Sequence, residues 1–122
     1  MEKQTVAILG ASHKPERYAH KAMIALLEAG HKVILINPGL KEIEGIPCVR
    51  SISDITEKVD TLTLYVGREM VEKLSDAIIA IKPGRIIANP GTETEMLKEK
   101  AAKNKIDYIE ACTLVMLKTE QF

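Results

Sequence analysis

The chain has 122 residues, 17 Lys and Arg against 17 Asp and Glu, 46% hydrophobic residues, two Cys and no Trp. That length predicts one domain, residues 1–122, and a chain with no net charge lacks the basic footprint of a general nucleic-acid binder. Two distant Cys make neither a disulfide framework nor a zinc knuckle nor a C-x-x-C site, and no apolar run approaches the roughly 20 residues that span a bilayer. The first residues also lack the apolar core of a signal peptide. The expectation is a cytoplasmic protein whose partner is a small molecule rather than a nucleic acid or a membrane.

Thr5–Leu9 is a short aliphatic run closed by Gly10, the pattern of a strand buried on both faces of a parallel sheet. After the loop Gly10-Ala11-Ser12-His13-Lys14-Pro15, apolar residues recur at Ala19, Ala22, Met23, Leu26 and Leu27, a helical spacing that stops at Gly30. His31–Ile36 reads as a second strand, ended by Asn37-Pro38-Gly39. From Leu40 to Asp60 the signal weakens, and a loop with one short helical turn at Ser53–Glu57 is expected. Thr61–Val66 is the third predicted strand, and Val71, Leu74, Ile78 and Ile81 mark the next helix. Arg85–Asn89 is the fourth, ended by Pro90-Gly91, and Thr92 with Glu95 forms a capping box for another helix. Ile106–Ile109 is the fifth. The apolar tail from Thr113 to Leu117 is too short to divide between helix and strand.

Alternating strands and helices predict an α/β, Rossmann-like, doubly wound parallel sheet of five strands with helices on both faces. The expected order is 3-2-1-4-5, which puts a ligand crevice between strands one and four, outside the carboxyl ends of the strands.

Chemistry concentrates at those ends. Gly10 permits a tight turn, and the loop feeds the start of a helix, where free amides and the helix dipole suit a phosphate. The dinucleotide pattern G-x-G-x-x-G/A is interrupted by Ser12 and Pro15, and strand two ends in Asn37 where NAD enzymes carry an acid for the ribose diol. Lys41 lies four residues on and would suit a phosphorylated ribose, or is a solvated loop lysine. Tyr65 is either core or a surface for a base. His13, His20 and His31 have no metal spacing, and no Ser-His-Asp, G-x-S-x-G, H-E-x-x-H or Walker motif is present, so neither catalytic nor metal residues are assigned. Cys112 follows strand five near the ligand edge and is either a reactive thiol or inert packing.

Gly10-Ala11-Ser12, Gly30, Asn37-Pro38, Gly45, Pro90-Gly91 and Ala111-Cys112 form a recognisable combination. The chain resembles the small single-domain CoA-binding proteins, relatives of the nucleotide-binding domain that opens the succinyl-CoA synthetase alpha subunit. The resemblance covers nearly the whole chain and implies that coenzyme A or an acyl-CoA binds without a reaction of the chain's own. It places the pyrophosphate on Ser12, His13 and Lys14, within a loop that also takes in Gly10, Ala11 and Arg17. Lys41, beyond Asn37-Pro38, is implied for a CoA phosphate. Val66-Gly67 and Asn89-Pro90-Gly91 would flank the adenosine and pantetheine portions. Many relatives carry proline where this chain has Gly67, and the synthetase's phosphohistidine and ligase machinery have no counterpart in these residues. The rival readings are an NAD(P)-binding oxidoreductase-type domain, and a regulatory or scaffolding subunit whose tail, Leu114–Leu117, contacts a second copy or a partner protein.

Overall fold

The computed structural model describes residues 2–122. Five parallel strands form where the aliphatic runs predicted them, within one or two residues at each end: β1 (Thr5–Leu9), β2 (Lys32–Ile36), β5 (Thr61–Leu64), β6 (Arg85–Ala88) and β7 (Asp107–Glu110). Two further strands, β3 (Glu42–Ile43) and β4 (Ile46–Val49), lie in the stretch expected to be loop. They form a hairpin turning at Glu44 and Gly45, and β4 also joins β2 in parallel through Leu35–Cys48 and Ile36–Val49.

The sheet is therefore mixed and seven-stranded, in the order β3-β4-β2-β1-β5-β6-β7. This corrects the five-stranded order 3-2-1-4-5, because the strand counted as third, Thr61–Leu64, pairs with β1 on the side away from β2. The third position in chain order belongs to β4. Once it is counted, the six parallel strands follow the order 3-2-1-4-5-6 of doubly wound folds. The connections diverge at β1 and β5, so the crevice opens there, with β6 one strand further out.

Helices cover both faces. On one lies α1 (Tyr18–Glu28), with α4 (Thr113–Lys118) formed by the apolar tail. Val6, Ile8, Val33 and Leu35 point to this face and pack with Ala19, Met23 and Leu26 of α1. Alternate residues of the same strands, Ala7, Leu9, Ile34 and Ile36, point the other way. They meet Val71 and Ile78 of α2 (Arg68–Ala80) and Leu97 and Ala101 of α3 (Glu95–Lys103). The strands are apolar on both sides because both sides are buried, as a parallel sheet requires.

The expected capping box at Thr92 is displaced. The Thr92 hydroxyl donates to the Asn89 carbonyl, and Thr94 caps α3 by accepting from the Leu97 amide at 3.1 Å. The helical turn expected at Ser53–Glu57 is a 3-10 turn at Ile52–Asp54, where the Asp54 carboxylate accepts from the Ser51 amide.

At the amino ends of the strands, the Phe122 ring packs 5.1 Å from His31 and 4.5 Å beneath the Arg85 guanidinium. Arg85 donates to the Thr61 hydroxyl, which donates in turn to Gln4. His31 Nδ1 accepts from the Gln4 amide, and burial together with nearby Lys3 and Arg85 pushes its pKa down. Gln4, Thr61 and Arg85 also line an open cavity of about 430 Å³ at this edge.

Candidate functional site

At the carboxyl ends of the strands, the loops after β1, β5, β6 and β7 surround a cleft of two lobes. One, of about 300 Å³, is lined by Gly10, Ser12, Lys14, Arg17, Tyr18, Ala19 and Tyr65. The other, of about 510 Å³, is lined by Tyr18, Tyr65, Val66, Gly67, Asn89, Pro90, Gly91, Thr92, Cys112 and Leu114. Tyr18 and Tyr65 belong to both, so the lobes meet at a waist of two aromatic rings.

The smaller lobe is built by the turn out of β1. Gly10 has φ +90, and a Cβ there would lie 2.6 Å from the Tyr65 carbonyl and 2.7 Å from Val66 Cγ1. Glycine is thus required twice, for the backbone conformation and for the close approach of the β1 and β5 loops. The Gly10 and Ala11 amides both donate to the Ile36 carbonyl, which binds the turn to the end of β2. Ser12 Oγ accepts from the Lys14 amide at 3.1 Å and shapes the next turn. Arg17 is the N-cap of α1, yet its side chain caps no amide and the first turn holds no acid. Two exposed cations, Lys14 and Arg17, and an uncapped helix start therefore share one small lobe, an arrangement that suits a phosphate.

Asn37 supports this lobe without lining it. Its Nδ2 donates to the Ala11 carbonyl at 2.8 Å, and its Oδ1 accepts from the Gly39 and Leu40 amides. Pro38 and Lys41 are exposed on the same loop, and His13 is exposed beyond Ser12. None of these three lines either lobe. The Lys41 carbonyl accepts from the Cys48 amide and so anchors the start of the hairpin.

The larger lobe is uncharged. Its floor is Asn89, which is buried: Nδ2 donates to the Thr63 hydroxyl and the Leu64 carbonyl, and Oδ1 accepts from the Thr113 amide. Thr63 and Thr113 are joined by their hydroxyls at 2.8 Å. The end of β5, the turn after β6 and the start of α4 are thus tied through one amide side chain. The Tyr65 hydroxyl is buried beside these threonines without a partner, and burial pushes its pKa up to about 12, so it stays neutral. Tyr65 thus lines both lobes while its hydroxyl is buried.

At the rim, Arg68 donates through Nη2 to Glu93 Oε1 at 2.7 Å and through Nε to the Glu93 carbonyl. Glu93 Oε1 also accepts from the Gly91 amide at 2.9 Å. Hydrogen bonds from its own and the Gly91 amides, with Arg68 beside it, hold the Glu93 carboxyl below the usual carboxylate range. Cys112 lines the lobe, half-buried, whereas Cys48 sits on β4, where burial and Glu42 push its thiol pKa up. No group of three His, Cys, Asp or Glu side chains that could hold a metal ion occurs among the described residues.

Of the sequence-predicted residues, Gly10, Ser12, Lys14, Arg17, Val66, Gly67, Asn89, Pro90 and Gly91 line the cleft, and Ala11 is buried behind it. Sequence reasoning missed Tyr18, Ala19, Thr92 and Leu114. Tyr18 is 69% exposed at the first position of α1, where a solvated residue is the ordinary expectation. Leu114 became part of the wall only once the tail folded as α4.

The model of the CoA binding domain family matches residues 4–118. The protein YneT of Bacillus subtilis is 27% identical over 99 residues, covering 78% of this chain and 73% of YneT. The ADP-forming acetate–CoA ligase of Methanocaldococcus jannaschii is 32% identical over 71 residues, covering 58% of this chain and 10% of the ligase. The crystal structure of an uncharacterized protein superposes with a TM-score of 0.94 at 35% identity, covering 100% of both chains. Every strand of the sheet and both lobes of the cleft fall inside the family match, and this chain belongs to the CoA binding domain family.

Proposed function

We propose that this chain binds coenzyme A or an acyl-CoA in the two-lobed cleft, without a reaction of its own. The carrying observation is the pairing of a small cationic lobe with a larger uncharged one across Tyr18 and Tyr65. CoA likewise sets an anionic pyrophosphate beside an uncharged pantetheine arm. In this reading Gly10, Ala11 and Ser12 shape the phosphate loop, and Lys14 and Arg17 neutralise the pyrophosphate, with His13 alongside. Lys41, outside both lobes beyond Asn37 and Pro38, supplies a cation to a further CoA phosphate. Val66, Gly67, Asn89, Pro90 and Gly91 flank the adenosine and pantetheine.

NAD is disfavoured because β2 ends in Asn37, whose amide is committed to Ala11 and to its own turn. The matched segment is a tenth of the acetate–CoA ligase, so the ligase's reaction is not carried over. The expected setting is a reducing cytoplasm, in which Cys48 and Cys112 stay free thiols.

Thermal unfolding with CoA and with NAD tests the reading. At about 100 times its dissociation constant, CoA should add roughly 2.7 kcal/mol of stability, a rise in Tm of several degrees. Lys14→Ala or Arg17→Ala should weaken CoA binding by about 1.5–3 kcal/mol with the fold intact. A Tm shift with NAD but none with CoA would overturn the proposal. Calorimetric affinities unchanged in both variants would place the pyrophosphate elsewhere.

A further inference from the structure

We infer that the contact between His20 and Glu44 is a positioning device, which fixes the β3–β4 hairpin against the first turn of α1 and so sets Lys41 for the phosphate on the CoA ribose. This inference rests on the CoA reading above and concerns the residues that give its site a preference for that phosphate.

The hairpin has few ties to the rest of the sheet. β3 is an edge strand that pairs with β4 alone, at Glu42–Pro47 and Ile43–Ile46, and β4 meets β2 through two residue pairs. On the α1 side, Ile43 is buried in the cluster that α1 covers. The next residue, Glu44, accepts through Oε2 from His20 Nε2 at 2.5 Å, and His20 is only 6% exposed. His20 stands in the first turn of α1, where its amide donates to the Arg17 carbonyl. One side-chain contact thus joins the hairpin tip to the helical turn that brings Arg17 and Tyr18 to the smaller lobe.

Glu44 occupies its place against local preference. It has φ +49 and Gly45 has φ +82, so both residues of this two-residue turn are left-handed. Such turns favour Asn, Asp or Gly at the first position. A left-handed glutamate is strained, and strain of this kind persists where the surroundings hold it. What glutamate adds over Asn or Asp is one methylene of reach, toward a buried histidine.

Lys41 begins the same hairpin. Its carbonyl accepts from the Cys48 amide, and the Leu40 amide before it is held by Asn37 Oδ1. The segment is therefore anchored at its base by Asn37 and Cys48 and at its tip by His20, with Lys41 exposed between. Ordering a long solvated side chain onto a phosphate costs rotamer entropy, and a mobile base adds to that cost. The position of Lys41 relative to Lys14 and Arg17 is only as definite as that of the hairpin relative to α1.

Titration calorimetry with CoA and with 3′-dephospho-CoA, which lacks only the ribose phosphate, tests this directly. The unaltered protein should bind CoA about tenfold more tightly, the worth of one charge-assisted contact. Lys41→Ala should erase that preference. Glu44→Asn suits the left-handed turn but falls short of His20, and should lose most of the preference while leaving dephospho-CoA affinity unchanged. Glu44→Gln keeps both the reach and an acceptor oxygen, and should retain the preference. Both replacements remove the same charge, so a difference between them reports the bond to His20. Equal preference in the Asn and Gln variants, or a Glu44→Asn protein that weakens toward both ligands alike, overturns the inference and leaves the CoA reading standing. A preference that survives Lys41→Ala, or equal affinity of the unaltered protein for the two ligands, overturns it as well. Absence of binding by both ligands overturns the CoA reading itself.

Discussion

The tripeptide Asn-Pro-Gly ends two strands of this sheet, Asn37-Pro38-Gly39 after β2 and Asn89-Pro90-Gly91 after β6. In both, proline stops the ladder and the asparagine side chain gathers nearby backbone groups. Their surroundings make them different devices. Asn37 is half-buried and spends its oxygen on its own turn, reaching across only to the Ala11 carbonyl. Asn89 is buried and spends its whole side chain on other segments, on Thr63 and Leu64 of β5 and on Thr113 at the start of α4. The glycines diverge as well: Gly91 has φ +93, whereas Gly39 is not in the left-handed region. A turn sequence sets where a strand stops; the density of neighbours sets what its polar atoms hold together.

The largest expected effect is at Asn89. Asn89→Ala strands the Thr113 amide and the Leu64 carbonyl in the interior and should cost about 3 kcal/mol or more, lowering Tm by roughly 10 °C in thermal unfolding. A loss below about 1 kcal/mol would mean that these groups find other partners, and the contrast would collapse.

Asn37→Ala should cost less, about 1–2 kcal/mol, because water reaches its turn. Its distinctive consequence is a looser connection between the β1 and β2 loops, read as weaker CoA affinity at a temperature where the variant is fully folded. Equal stability losses at Asn37 and Asn89 would erase the distinction between a local and a long-range knot.

The glycines give the smallest and sharpest comparison. A Cβ at Gly91 meets nothing within 4 Å, so Gly91→Ala isolates the left-handed backbone penalty, about 1–2 kcal/mol. At Gly39 a Cβ would lie 3.6 Å from Asn37 Oδ1, an ordinary contact, and Gly39→Ala should be neutral or stabilising by about 0.4–1 kcal/mol. Opposite signs in ligand-free chemical denaturation are expected; the same sign in both would remove the conformational difference.

Five strands were legible because each is a compact aliphatic run that ends at a turn signal. β3 and β4 were not. Ile46–Val49 contains Pro47, is only partly buried and pairs with β2 at two positions, so neither alternation nor an unbroken apolar run marks it. Missing β4 gives the wrong strand order, since Thr61–Leu64 is counted one position early and the crevice is expected between β1 and β6 instead of β1 and β5. Most cleft residues survived that error because they sit at strand ends, and strand ends were located correctly whatever the order. Tyr18 and Leu114 were illegible for another reason: their role depends on how helices pack over the sheet, and neither has a local signature. Thr92 and Thr94 show the limit of motif reading, since both precede the same helix and it is the start of α3 at Glu95 that makes Thr94 the cap.

The Phe122 ring, held between His31 and Arg85, fixes the direction in which any appended polypeptide departs. That direction is away from the cleft, because Phe122 lies at the amino ends of β2 and β6 and the cleft at their carboxyl ends. An affinity handle, a fluorophore or a surface tether joined after Phe122 would emerge on the far side of the sheet. The protein could be immobilised through that end, with Tyr18 and both lobes presented to a flowing ligand.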